Sequence, residues 1–411
     1  GAERLKGSAR DVGSRVGDSS TLCLPWFSSG EQRRRGLGVD GTVLAVVVAL
    51  SFVGVIMVFS ASAVVAGTQF HDAVYFLKRQ VLWLLVGFVV LHVASRIDYV
   101  RWRKLAPWLL GGTALLLVIV LLPSLGWVAK GARRWLRLGP VSIQPAELFK
   151  LASVLYLASY LARREDRLTQ FKAGVLPPLV VVGVLAGLVV LQPDLGTVAV
   201  VGAVVMMMLF LAGARPTHLL GLLLAMLPVA ALLILRSSYR RQRIMTFLEP
   251  WKDAADGGFQ VTQSFLAFGS GGLFGVGLGE GKQKLFFLPE AHTDFVLALV
   301  GEELGLFGTT AIMLLFVLLL LKGFQIAGNA REPFGRYVAL GITLLIGVQA
   351  LVNAGVVTGV LPTKGLTLPL VSYGGSSLVV SLLAIGILLS VSRDRERRRQ
   401  GNRHGPRAGT V

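Results

Sequence analysis

Cysteine, histidine and charge are all scarce in this chain of 411 residues. The single cysteine, Cys23, excludes an intramolecular disulfide and every cysteine-rich zinc site. The five histidines form no HExxH motif, which argues against a zinc protease. Charged residues make up 15% of the chain and hydrophobic residues 54%, whereas soluble domains are about 25% charged. The composition therefore excludes an ordinary soluble domain, a disordered protein and a secreted disulfide scaffold.

Negative charge is scarcer than positive charge. The chain has 22 Asp and Glu residues against 41 Lys and Arg residues, which gives a net charge of +19. In a soluble protein such an excess suggests nucleic-acid binding. In a membrane protein, basic residues collect on the cytoplasmic side. The long apolar runs of this chain favour the second explanation.

Ten stretches have the length and apolar character that a helix needs to cross a bilayer, about 20 residues. We therefore predict an all-α integral membrane protein of about ten transmembrane helices. An even number of crossings places both termini on one side, and that side holds 26 of the 41 basic residues, which predicts cytoplasmic termini. The predicted spans are 41–63, 77–95, 105–123, 146–162, 173–191, 195–212, 216–235, 295–321, 336–360 and 368–391.

The chain divides into three regions. Residues 1–38 are predicted to be a disordered basic cytoplasmic arm, residues 39–392 the transmembrane domain and residues 393–411 a basic cytoplasmic tail. The large extracytoplasmic loop between helices 7 and 8, at 236–294, is rich in aromatic residues, so we expect it to fold against the membrane surface. This loop and the segment 124–150 carry twelve basic residues on the outer side. An anionic ligand would explain them, and so would translocation of long loops regardless of charge.

Asp294 falls where the long loop enters the eighth predicted helix. An aspartate beside water and an apolar wall can act as a general base, and a helix N-cap is the alternative. Gly301 and Gly305 lie within about 20° of its helix face. Such a stripe of small residues would let a second helix or a lipid chain approach closely.

Glu302 and Glu303 lie deeper in the same helix and on different faces, so at most one can face that groove. Pairing with cations of a neighbouring helix would make them structural. The preceding segment 269–281 contains seven glycines, but no Gly-Lys-Ser/Thr follows it, which argues against a nucleotide loop. Lys284, beside this segment, is a candidate contact for an anionic headgroup.

Glu147 and Lys150 are three positions apart and share a helix face. They form either an intrahelical ion pair or a polar pair that faces the same cavity as the loop aspartate. Upstream, Arg133 and Arg134 are suited to bidentate phosphate contacts. Asp194, in a tight turn between two predicted helices, is expected to cap the second of them.

The last outer loop carries Lys364 and leads into residues 372–377. Ser376 and Ser377 at its end can serve either hydrogen bonding to a ligand or close helix packing. Both alternatives stay open.

Together these segments resemble the SEDS family, the shape, elongation, division and sporulation glycosyltransferases. The resemblance covers about residues 40–392. Short segments at 289–292 and 363–365 are more similar to the division branch of the family than to the elongation branch. The matching segments are Gly131–Leu136, Gln144–Lys150, Gln192–Thr197, Phe247–Trp251, Pro289–Phe295 and Ser372–Ser377.

The resemblance implies a bacterial inner-membrane enzyme of the division septum that polymerises lipid II into β-1,4 glycan strands. The reaction inverts configuration and releases undecaprenyl pyrophosphate. The family's essential aspartate corresponds to Asp294, which would deprotonate the acceptor hydroxyl. No dedicated cofactor or metal site is predicted, although a divalent cation could share the charge of the leaving group with the protein. The candidate substrate-binding residues are Glu147, Lys150, Arg133, Arg134, Asp194, Arg243, Lys284, His292, Lys364, Ser376 and Ser377.

The division-branch resemblance also implies partners. These are a class B penicillin-binding protein, which would crosslink the new glycan, and the regulators FtsQ, FtsL and FtsB. Two other functions stay open at this point: a transporter that flips lipid II across the membrane, and a non-catalytic scaffold of the division machinery. A transporter requires polar groups along a path through the membrane, whereas the candidate residues gather near the outer helix ends.

Overall fold

The computed structural model describes residues 40–129, 132–139, 141–252, 258–285, 288 and 291–403. The arm predicted at 1–38 lies outside these ranges, and the tail predicted at 393–411 is described only to Arg403. Twelve α-helices lie within them: α1 (Gly41–Phe70), α2 (Tyr75–Arg96), α3 (Tyr99–Leu121), α4 (Pro145–Leu161), α5 (Leu176–Leu191), α6 (Leu195–Leu211), α7 (Pro216–Leu235), α8 (Ser238–Leu248), α9 (Phe259–Gly271), α10 (Val296–Gly328), α11 (Pro333–Val357) and α12 (Gly375–Arg403).

Seven helices of the described chain are long and apolar enough to cross a membrane. They are α1, α2, α3, α5 with the π-helical turn before it, α10, α11 and α12. Two further apolar helices, α6 and α7, are shorter. The 17-residue α4 is the most enclosed of the remaining helices, because nearly every one of its residues is buried. A helix thus lies in each of the ten stretches that the sequence marked, but the last stretch, 368–391, becomes helical only at Gly375.

Residues 126–129, 132–138 and 141–143 form a small antiparallel sheet, so the prediction of an all-α fold was wrong for these residues. The strands are β1 (Gly126–Ala129), β2 (Ala132–Leu138) and β3 (Val141–Ile143), in the order β1-β2-β3. The strand β2 reads Ala-Arg-Arg-Trp-Leu-Arg-Leu, which mixes basic and apolar residues without strict alternation. The guanidinium of Arg137 lies 4.2 Å from the ring centre of Trp127 on the paired strand. The strands are too short for their sequence pattern to stand out from the long apolar runs around them.

The centre of the bundle is built from α4 and α11 with the helices around them. Small residues let these helices approach closely. At Gly386 of α12, an added Cβ would lie 2.6 Å from the carbonyl oxygen of Leu91 in α2. At Gly323 of α10, it would lie 2.1 Å from the hydroxyl of Thr343 in α11. Larger residues at either glycine would force the helices apart.

Between α11 and α12 the chain runs as a non-helical segment, residues 359–374, much of it buried. Leu368, Leu370 and Val371 are almost fully buried, and Gly54 in the middle of α1 leaves room for the backbone of Val371. Non-helical backbone inside a membrane protein is tolerated only where protein groups satisfy its polar atoms. Those groups come from the surrounding helices and help to form the candidate site.

Candidate active site

Asp294 lies at the start of α10. The N-cap position of this helix belongs to Phe295, so Asp294 lies one residue before the cap. Its carboxylate Oδ2 lies 3.0 Å from the position that a Cβ of Gly365 would take. A side chain at position 365 would therefore press on the carboxylate, and the glycine leaves the space for it. The structure thus brings Asp294 against the segment that carries Lys364.

Lys364 lies among three charged side chains. It is half-buried and interacts electrostatically with Asp194 and with Arg240 and Arg243 of α8. Burial lowers the pKa of Lys364; Asp194 opposes this shift and the two arginines add to it. Arg243 is also fixed to the same segment, because its Nη1 donates to the carbonyl of Thr363 at 2.8 Å. Three cations and one carboxylate leave an excess of positive charge around Lys364, the residue before the glycine that Asp294 faces.

Asp194 caps α6, as its turn predicted. Its carboxylate accepts hydrogen bonds from the backbone N–H of Thr197 at 3.1 Å and from the Thr197 hydroxyl at 2.9 Å. Arg134 of β2 holds the turn from the other side and donates to the carbonyls of Gln192 and Pro193 at 2.9 and 2.6 Å. The sheet and α6 are thereby joined next to Lys364.

Glu147 and Lys150 form a buried ion pair of 2.8 Å within α4, with side-chain exposures of 8% and 2%. The Lys150 ammonium also donates to Oε1 of Gln349 in α11 at 2.9 Å. The amide of Gln349 donates in turn to the carbonyl of Thr367 at 3.1 Å. The ion-pair alternative is therefore the one observed, and the pair supports the segment that carries Lys364.

Lys284 is enclosed, and this placement replaces the predicted headgroup contact. Its ammonium donates to Glu303 at 2.8 Å, to Ser60 of α1 at 3.0 Å and to the carbonyl of Gly279. Glu302 accepts from the backbone N–H groups of Lys282 and Gln283. Both glutamates therefore bind the loop that precedes α10. The prediction that they pair with a cation of a neighbouring helix was wrong for Glu303, because its partner Lys284 belongs to this loop.

The predicted glycine stripe is not an open groove. A Cβ at Gly301 would overlap the ring of Phe268 in α9. The helix breaks at Gly305, which has a φ of 67°, a conformation that favours glycine. A Cβ there would overlap the backbone at Leu273 and Gly275. The prediction assumed an unbroken helix with both glycines on one open face. In the structure this face is covered by α9 and by the loop that follows it.

His292, Ser376 and Ser377 connect the loops around the site. The carbonyl of His292 accepts from the N–H of Tyr373 at 2.9 Å, and its ring packs on Phe76 and Tyr373. Ser376 donates to the carbonyl of Ser142 in β3 at 3.1 Å. The Ser377 hydroxyl lies 2.9 Å from that of Thr367. These contacts fasten the sheet and the non-helical segment to the start of α12. Arg133, half-buried, lies opposite Val128 in the sheet.

Two residues of the site were missed by sequence reasoning. Asn353 of α11 donates from Nδ2 to the carbonyls of Asp294 and Leu366, at 2.9 and 2.7 Å. Arg240 is one of several arginines in α8, and only the tertiary structure brings it near Lys364. A buried amide in an apolar helix is the signal that could have found Asn353, because a polar side chain there needs a partner.

The arrangement places one carboxylate beside a group of cations at a partly exposed surface. A carboxylate can take the proton of an attacking hydroxyl, and fixed cations stabilise the negative charge of a departing phosphate group. Within the described ranges, no group of three or more His, Cys, Asp or Glu side chains is arranged to hold a metal ion. The geometry fits a transfer reaction with an anionic leaving group.

Residues 41–397 match the FtsW, RodA and SpoVE family of cell cycle proteins, and the chain belongs to this family. A relative from Geobacter metallireducens, named "Probable peptidoglycan glycosyltransferase FtsW", is 50% identical over 353 residues, 86% of this chain and 94% of its own. Stage V sporulation protein E of Bacillus subtilis is 44% identical over 354 residues, 86% of this chain and 97% of its own.

Solved structures show the same fold. A chain from the work "Structural coordination of polymerization and crosslinking by a peptidoglycan synthase complex" aligns with a TM-score of 0.72 and 32% identity, over 88% of this chain and 99% of that one. The rod shape determining protein RodA of Thermus thermophilus aligns with a TM-score of 0.62 and 31% identity, over 87% and 98%. The similarity thus extends over nearly the whole membrane part.

Proposed function

We propose that this chain is a peptidoglycan glycosyltransferase that polymerises lipid II into β-1,4 glycan strands at the outer face of the bacterial cytoplasmic membrane. The observation that carries the proposal is the Asp294 carboxylate, held against Gly365 and next to Lys364 with its two arginines. The names of the relatives and the fold of the structural neighbours support it.

The chemistry requires one base and one anion site. The 4-hydroxyl of the GlcNAc in incoming lipid II attacks the anomeric carbon of the MurNAc at the end of the lipid-linked glycan. Asp294 takes the hydroxyl proton as the new C–O bond forms. The bond from this carbon to the pyrophosphate oxygen breaks, and the α-linked donor becomes a β-1,4 product. Undecaprenyl pyrophosphate leaves with the bonding electron pair and needs no proton.

Lys364, Arg240 and Arg243 would bind the pyrophosphate. Guanidinium groups form bidentate contacts with phosphate oxygens, and an ammonium acts as a point charge. Lys150, paired with Glu147 inside the bundle, would position the segment that carries Lys364 through Gln349. A divalent cation that shares the pyrophosphate charge is a further proposal, tested by polymerisation with and without a chelator.

The proposed reaction supports one orientation of the chain in the membrane. Lipid II is consumed at the outer face, so the start of α10, residues 358–374 and α8 would lie outside. The ten helices that occupy the predicted spans would then each cross the membrane, with both termini in the cytoplasm. The excess of basic residues on the terminal side supports this orientation.

Division is the cellular role that we propose, because five relatives named FtsW are 48–50% identical to this chain, against 44% for the sporulation protein. The partner would be a class B penicillin-binding protein at the septum, with FtsQ, FtsL and FtsB as regulators. The structural neighbour from a complex of polymerisation and crosslinking supports a partner of this kind.

The test is polymerisation of labelled lipid II by the purified protein with its class B transpeptidase. We expect a glycan ladder from the wild type and from Asp72→Asn, a matched variant whose carboxylate pairs with Lys78 at another place. Asp294→Asn should still bind lipid II and lose polymerisation by at least about 10²-fold, the range of general-base catalysis.

The other outcomes decide against parts of the proposal. A ladder from Asp294→Asn would move the base to another residue, with Glu147 tested next. Lipid II translocation in liposomes without any ladder would favour the transporter, and neither product would favour the scaffold.

A further inference from the structure

The non-helical segment before α12 obtains its hydrogen bonds from buried amide side chains. Three amides donate to its carbonyls: Gln80 to Ser372, Gln349 to Thr367 and Asn353 to Leu366. Their side chains are 1–3% exposed. Each therefore replaces the partner that a helix would otherwise have supplied to that carbonyl.

Asn353 differs from the other two amides because it has a second acceptor outside the segment. Its Nδ2 donates to the carbonyl of Leu366 at 2.7 Å and to the carbonyl of Asp294 at 2.9 Å. An amide NH₂ group has two N–H bonds, so both are used. One side chain of α11 thus joins the backbone of Asp294 to the segment that carries Lys364 and Gly365.

Asn353 thereby sets the distance between the backbone of Asp294 and the segment that carries Lys364. The carboxylate of Asp294 lies against Gly365. The cations are Lys364, the residue before this glycine, and Arg240 and Arg243 of α8. A shift of about 1 Å between reacting groups can cost about 100-fold in rate. Asn353 opposes such a shift without contacting the carboxylate itself.

We propose that Asn353 is a positioning residue that sets the general base against the pyrophosphate-binding cations. This inference rests on the proposed glycosyltransferase function and adds a residue to its site. Loss of the amide would leave lipid II binding intact and reduce turnover.

The variants are Asn353→Leu, which keeps the branched shape, is somewhat larger and removes both N–H groups, and Asn353→Ser, which stays polar and keeps one donor. The control is Gln80→Leu, which replaces an equally buried amide of α2 that donates to the same segment, at Ser372, and not to Asp294. Apparent unfolding temperature, lipid II affinity, kcat and KM are measured for each protein in complex with the transpeptidase.

We expect kcat to fall by about 10- to 100-fold in Asn353→Leu and by less in Asn353→Ser, while KM stays within about twofold of wild type. Gln80→Leu should keep the wild-type kcat when turnover is divided by the concentration of protein that binds lipid II, even if its unfolding temperature falls. If Asn353→Leu does not fold, the polar Asn353→Ser variant decides the question.

Unchanged kcat in Asn353→Ser, or an equal fall of kcat in Gln80→Leu, would overturn the positioning role and leave a purely structural one. Failure of the proposed function gives a different result, because the wild type itself would then make no glycan.

Discussion

Lys364 shows how burial and charge act on one residue of the site. Its ammonium is half-buried, and burial disfavours the charged form, so the pKa lies below that of a free lysine. Arg243 and Arg240 lower it further, and Asp194 works in the opposite direction. A lowered pKa means that the ammonium loses its proton at a lower pH than an exposed lysine does.

Polymerisation should therefore fall on the alkaline side at a pH below the ordinary lysine range, because the neutral amine no longer attracts the pyrophosphate. In Lys364→Arg the guanidinium stays charged, so we expect the alkaline limb to move to higher pH. The measurement is the pH profile of kcat, with Lys252→Arg at an exposed lysine as control. Coincident alkaline limbs in wild type and Lys364→Arg would assign the titration to another group.

At the scale of elements, the loop before α10 forms hydrogen bonds with the backbone groups at the break in this helix. The N–H groups of Leu306 and Phe307 donate to the carbonyls of Gly272 and Leu273. In return, the carbonyls of Glu302 and Glu303 accept from Val276 and Gly277. The backbone groups that Gly305 frees by leaving the helix are thereby satisfied, as a membrane interior requires.

The side chain of Glu303 completes this repair, and its removal should be costly. Glu303→Gln leaves the Lys284 ammonium buried without its counter-charge, and breaking a buried pair costs about 3–5 kcal/mol. Glu249→Gln removes an exposed pair with Lys252, worth about 0–1 kcal/mol. We expect a clear drop of the apparent unfolding temperature in detergent for Glu303→Gln and little change for Glu249→Gln.

Equal unfolding temperatures for the two variants would show that the backbone bonds alone hold the loop. A specific loss of turnover without loss of stability in Glu303→Gln would instead place this pair in the reaction.

At the scale of the whole molecule, the open question is which loops lie on which side. Cys23 is the single cysteine, so it serves as a native probe of the N-terminal side. In a Cys23→Ser background, Asp166→Cys, Ser237→Cys and Ala330→Cys probe the connections after α4, α7 and α10. The apolar helix α6 and the apolar part of α7, Pro216–Leu232, are shorter than the seven long spans. The first two probes bracket them together with α5.

With ten crossings, a membrane-impermeant maleimide applied to intact spheroplasts should label Ser237→Cys alone. Cys23, Asp166→Cys and Ala330→Cys should react only after permeabilisation. Labelling of Asp166→Cys in intact spheroplasts would mean that α4 or a helix before it does not cross, and the proposed orientation would need revision.

The sequence by itself determined the membrane class, the positions of the long helices and the importance of Asp294, Asp194 and the Glu147–Lys150 pair. The helices, the cap at Asp194 and the ion pair follow from local patterns: apolar runs, a turn before a helix and an i,i+3 spacing. The role of Asp294 as the base was implied by the family resemblance and stays a prediction. The tertiary structure decided the three-stranded sheet, the break at Gly305, the enclosure of Lys284 and the two hydrogen bonds that Asn353 donates. Each depends on backbone polar groups of one segment that must find partners in another, and sequence spacing does not encode that distance.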